Sequence, residues 1–105
     1  MTDVFKREIE ESIEINDPEE LLSVVIDVAL VATDPIWATE CLLALTEHTQ
    51  AGVRGNALMG LVHLAQRFPE MDLKSIRAVL EIAQNDQDGH VRDQAEAALE
   101  ELMIG

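Results

Sequence analysis

At 105 residues and 48% apolar content, this chain has the size of a single soluble domain that buries one core without a disulfide or metal staple. Twenty-one acidic against seven basic side chains give a net charge of −14, which repels nucleic-acid phosphates and anionic membranes; aromatics at 3%, with no tyrosine, exclude a stacking platform for bases or sugars. No apolar stretch approaches the ~20 residues of a membrane span, the leading MTDVFKREIEESIE lacks a secretory h-region, and the lone Cys41 has no disulfide partner, so a cytoplasmic protein with a buried, unreactive thiol is expected.

The first helical pattern covers residues 3–14. Asp17-Pro18 opens a second, 18–32. Aspartate caps a helix N-terminus, and proline suits the first helical position, where its missing N–H would be unpaired anyway. Glu19 and Glu20 then meet the positive end of the helix dipole. Leu21, Val25, Val28 and Ala29 recur at the spacing of one helix face. Asp34-Pro35 repeats the device and starts a third helix, 35–48, with Trp37 near its first turn. A fourth, 51–67, is stopped by Pro69 and carries Gly52, Gly55 and Gly60. Each interior glycine costs a helix about 0.5–1 kcal/mol relative to alanine, so a packing reason is expected. The fifth and sixth patterns are 72–84 and 88–103, separated by the turn Asn85-Asp86-Gln87-Asp88. No segment alternates apolar and polar residues for long, which predicts an all-α fold. Connections this short make successive helices antiparallel neighbours, in three pairs.

Sliding the chain by 38 residues lays Val53-Arg54 on Val91-Arg92, Ala57 on Ala95, Leu61 on Leu99 and Leu64 on Leu102. Asp34, Ala38, Leu42 and Leu45 fall on Asp72, Ile76, Leu80 and Ala83. A recurring helix pair of this length is the signature of an α-solenoid. One domain, 1–105, is expected, with a degenerate N-terminal unit 3–32 and repeat units 34–68 and 72–103. Gly60, matched by Ala98, lies beside the core stripe Val53-Ala57-Leu61-Leu64, where a small residue lets neighbouring helices approach.

The segment Asp86-Gln87-Asp88-Gly89-His90-Val91-Arg92-Asp93-Gln94-Ala95-Glu96-Ala97-Ala98-Leu99 resembles the second half of a HEAT repeat, D-x-D-x-x-V-R-x-x-A-x-x-A-L. In the 51–65 copy His48 and Gln50 stand where the two aspartates would be. The run from Trp37 to Leu102, about two thirds of the chain, is similar to small bacterial HEAT-like proteins. Its landmarks are Cys41-Leu42, His48, Val53-Arg54-Gly55, Leu61-Val62-His63-Leu64-Ala65, Asp72, Val91-Arg92 and Ala95-Glu96. Such proteins are often encoded beside bacterial toxins and serve as their immunity proteins, including in contact-dependent inhibition. The resemblance therefore implies a short right-handed α-solenoid of about three HEAT-like hairpins, and a basic toxin domain as partner.

Enzymatic chemistry finds little support. His48, His63 and His90 lie on separate elements with no i, i+4 pair, and Cys41 has no second cysteine. Neither a G-x-S-x-G elbow nor a phosphate loop is present. Close carboxylate pairs such as Glu10/Glu14 and Glu96/Glu100 follow from composition and read as a solvated acidic face. No catalytic residue, metal or cofactor is expected. Arg54 and Arg92 read as interhelical ties to a turn aspartate of a neighbouring unit, with Asp88 the obvious candidate. Trp37 is either packed core or a half-exposed anchor.

In HEAT-like stacks the second helices of the pairs line the concave face. On the fourth helix that face carries Gly55, Met59, Val62 and Gln66, with His63 at its edge; on the sixth, Asp93, Ala97 and Glu100, flanked by Glu96 and Glu101. On the second it carries Glu19, Ser23, Ile26 and Leu30, with Glu20 and Asp27 beside them. An apolar centre bracketed by carboxylates fits a protein partner, with the bare backbone of Gly55 admitting it closely. The alternative is that another element covers Met59 and Val62. The leading expectation is an immunity protein forming a 1:1 complex with a basic toxin, a nuclease being the natural guess because such enzymes need cationic clefts. The second is a HEAT-type adaptor or lyase-like chaperone subunit using the same face; neighbouring genes would separate the two.

Overall fold

A computed structural model describes residues 3–104, the side chain of Ile104 excepted; Met1, Thr2 and Gly105 lie outside the described residues. Among the described residues six helices follow in order: α1 (Asp3–Ile15), α2 (Pro18–Val31), α3 (Pro35–Leu45), α4 (Ala51–Arg67), α5 (Leu73–Ala83) and α6 (Gly89–Ile104). There is no strand among the described residues. The expected boundaries hold to within one residue except for α3, which ends at Leu45 rather than at residue 48.

Aspartates start four of these helices. Asp17, Asp34 and Asp72 sit in extended backbone and accept the N–H of Glu19, Trp37 and Lys74. Asp88 accepts from His90 and Val91. Each such cap contributes about 1 kcal/mol. α1 stops at Asn16, whose φ of 63° is the left-handed conformation that asparagine tolerates.

α4 organises the packing. It lies between α2 and α6, while α3 covers α4 and α2, α5 covers α6 and α4, and α1 packs on α2. The result is a slab of 35 × 30 × 16 Å. Leu21, Val28, Leu42, Leu58, Leu61, Leu64, Ile76, Leu80 and Val91 are shut away from water, and among the described residues no polar side chain is buried with them. A Cβ on Gly60 would stand 3.1 Å from Val25 Cγ1 and 3.4 Å from Leu42 Cδ2. The glycine thus lets α4 seat against α2 and α3 together, and the packing offsets the lost helix propensity.

Trp37 is half-buried between α1 and α3. Its ring meets Phe5 edge-on at 6.0 Å, and its indole N–H donates to Glu10 at 3.2 Å. Beside it, Lys6 Nζ reaches Asp34 at 2.8 Å. Arg67 donates to the carbonyls of Ala29 and Ala32, satisfying the last turn of α2.

Candidate protein-binding surface

A helix flanked on two sides and covered from behind keeps only a narrow window to solvent. On α4 that window is Gly52, Asn56, Met59, His63 and Gln66, at the i, i+4, i+7, i+11, i+14 spacing of one stripe. Two residues expected on it are elsewhere. Val62 is 0% exposed, and Gly55 is buried. A Cβ on Gly55 would stand 3.3 Å from Gln94 Cγ and 3.6 Å from His90 Cδ2, so the missing side chain makes room for α6 and not for a partner. Val62, seven residues on, shares that side of the helix. Asn56, which the sequence reading left off the face, takes its place on the stripe.

Met59 and His63 are brought together with α2. Ile26 and Leu30, both more than half exposed, face them across a groove of about 430 Å³ whose walls also include Val25, Ala29, Asn56 and Gly60. The groove is apolar at its centre. On the other side of the stripe, Gln66 Nε2 donates to Glu101 Oε2 at 3.0 Å and ties the end of α4 to α6. The carboxylates of Glu19, Glu20 and Asp27 on α2 and of Asp93, Glu96 and Glu100 on α6 are all exposed. Glu20 accepts from Ser12 on α1 and is thereby turned from the groove. Asp93, Glu96 and Glu100 recur at i, i+3 and i+7 along α6, and none of the three has an ion-pair partner among the described residues. The described residues thus combine an apolar groove between α2 and α4 with exposed, unneutralised carboxylates on α2 and α6.

The fold recurs in a solved complex. A chain in the crystal structure of a CDI complex from Cupriavidus taiwanensis LMG 19424 matches with a TM-score of 0.84, over 99% of this chain and 89% of that chain, at 24% sequence identity. At that identity the likeness is one of fold, and it extends along all six helices. No protein-family model and no curated protein matches the chain.

The other singled-out residues hold the frame. Arg54 grips Asp86 in bidentate fashion, Nε to Oδ2 at 3.0 Å and Nη2 to Oδ1 at 2.9 Å, and its Nη1 donates to the carbonyls of His48 and Thr49. Arg92 donates to the Asp86 carbonyl at 2.7 Å. For Arg54 the tie to a turn aspartate is as expected, but the aspartate is Asp86, because Asp88 is occupied in capping α6; Arg92 departs from the expectation, bonding a backbone carbonyl of the turn before its own helix. His48 accepts the Gln50 N–H at Nδ1 and so donates through Nε2 to Asn16 at 2.6 Å, joining the turns before α2 and α4. His63 and His90 are exposed. Burial, with the charges of Glu10 and Glu40 adding to it, pushes the Cys41 thiol up to about 11. Among the described residues no three acidic, histidine or cysteine side chains converge as metal ligands, and no helix is long and apolar enough to cross a membrane.

Proposed function

We propose that this chain is an immunity protein of the contact-dependent inhibition kind, which binds a cognate basic toxin domain one to one and blocks it by covering its active site. The observation that carries the reading is the match, along nearly the whole chain, to a chain of a CDI complex. In this reading the six helices are three stacked HEAT-like hairpins, a short right-handed α-solenoid, and inhibition works by occlusion and needs no catalytic residue. The toxin is a nuclease: enzymes that act on nucleic acid present cationic clefts, and the free carboxylates of Asp93, Glu96 and Glu100, with Glu19 and Asp27, would stand in for phosphates. Ile26, Leu30 and Met59 supply the dry centre that a tight interface needs.

The test is a rate measurement with the cognate toxin domain. Replacing Asp93, Glu96 and Glu100 by lysine should slow association about tenfold and flatten its salt dependence, because exposed charges act mostly on encounter. Met59→Ala should instead speed dissociation. If both rate constants survive all four changes, the partner binds elsewhere. If no toxin domain co-purifies with the tagged protein from its native strain, the inhibitor reading fails and the adaptor reading takes over.

A further inference from the structure

The outer helices are joined unevenly. Between α1 and α3 the gap is closed, with Trp37 filling it and Lys6 answering the carboxylate of Asp34. Thirty-eight residues on, the matching positions are Ser75 and Asp72. Ser75 is too short to fill the corresponding gap between α3 and α5, and Asp72 has no ion-pair partner among the described residues. Two hollows lie in line along the seam, or cleft, between α3 and α5. The N-terminal hollow, about 450 Å³, is bordered by Ile36, Glu40, Glu70 and Asp72; the C-terminal one, about 560 Å³, is bordered by Leu43, Glu47, Val79 and Ile82 and reaches down to Leu58. Ile36 and Ile82, 75% and 74% exposed, are the two most exposed large apolar side chains among the described residues, and they stand at the two ends of the cleft.

The charge of the cleft has one sign. No lysine, arginine or histidine borders either end, whereas Glu40, Glu47, Glu70 and Asp72 do, each without an ion pair among the described residues; a fifth carboxylate at the C-terminal end, Asp86, is neutralised by Arg54. The cations of α5, Lys74 and Arg77, lie instead beside Leu102 and Met103.

We propose that this cleft docks a basic amphipathic helix of a protein partner. α3 and α5 are 11 residues each, about 16 Å, so a partner helix of roughly three turns spans the distance from Ile36 to Ile82. Its apolar anchors at i, i+4 and i+7 fill the floor, and flanking lysines or arginines meet the four carboxylates as Lys6 meets Asp34. The surface lies on the layer opposite the α2–α4 groove, so the proposal does not rest on the toxin-binding reading.

The probe is a fluorescein-labelled Leu/Lys peptide about three turns long with leucine at helical spacing, set against a scrambled peptide of identical composition. Both are titrated by anisotropy into the full chain at physiological salt. The patterned peptide should bind about tenfold more tightly than the scrambled one. Ser75→Trp, which fills the gap as Trp37 fills its own, and the pair Glu40→Lys/Glu70→Lys should each weaken it about fivefold without lowering the melting temperature. Asp93→Lys/Glu100→Lys should leave it unchanged while impairing toxin binding, so the two readings fail separately. Equal affinity for the two peptides, no binding, or insensitivity to both cleft variants overturns the proposal.

Discussion

Asp86 takes three donors on its carboxylate: Nε and Nη2 of Arg54 and the N–H of Asp88. The Arg54 guanidinium, helped by that backbone N–H, holds the carboxyl below its ordinary value. A carboxyl depressed by folding contributes stability that is fully present above its unfolded pKa of about 3.9, and loses it as pH falls through the native value. Asp86→Ala should therefore lower stability by about 2 kcal/mol at pH 7 in urea unfolding, and the gap to the parent should close below about pH 4. Cys41 gives a second check. A thiol pushed up to about 11 holds almost no thiolate at pH 8, so its reaction with a disulfide reagent should track unfolding and be negligible in the native protein. The glycines should respond with opposite signs. Nothing lies within 4 Å of a Cβ on Gly52, so Gly52→Ala should raise stability by a few tenths to about 1 kcal/mol. Gly60→Ala should lower it by about 1 kcal/mol net, because Val25 and Leu42 are themselves packed and cannot retreat.

At the scale of elements, Val62 and Met59 separate packing from binding. Val62→Ala empties a filled site and should cost about 2 kcal/mol. Met59→Ala, on the solvent stripe, should cost less than about 1 kcal/mol and show mainly in the partner's dissociation rate. The contrast marks how far the sequence could be read. Helix starts were legible because Asp-Pro and Asp-x-x caps act locally, within one turn. The end of α3 was not: Thr46, Glu47 and His48 continue a helical pattern, yet the chain leaves the helix after Leu45, and the carbonyls of His48 and Thr49 receive Arg54. Nor was the α4 window. A helical wheel divides a helix into one wet and one dry half, whereas α4 has neighbours on three sides and a stripe that only the spacing of Gly52, Asn56, Met59, His63 and Gln66 would have disclosed. Asp86 and Asp88 fit the Val-Arg motif equally well; only the cap at α6 tells them apart.

The whole molecule carries −14 on a slab 16 Å thick, so the like charges of its two faces are never far apart. Such self-repulsion weakens as salt screens it. Raising ionic strength should therefore raise the melting temperature of the free protein while it weakens binding to a basic partner, two opposite slopes measurable on one preparation by scanning calorimetry and titration. The all-α fold was written in the helical spacing of apolar residues, because that spacing depends on neighbours close in sequence. Where the grooves lie depends on how distant helices splay, and no local pattern records it.

The central place of α4 bears on how the chain comes into being. Synthesis runs from the N-terminus and is slow beside helix formation. By the time α4 has emerged, α2 and α3 are available to cover part of it, but the flank that holds Gly55 and Val62 waits for α6, two helices further along the chain. For that interval the nascent polypeptide exhibits a greasy ridge to its surroundings, and a ribosome-associated holdase that grasps such ridges would find its target there and lose it when α6 arrives.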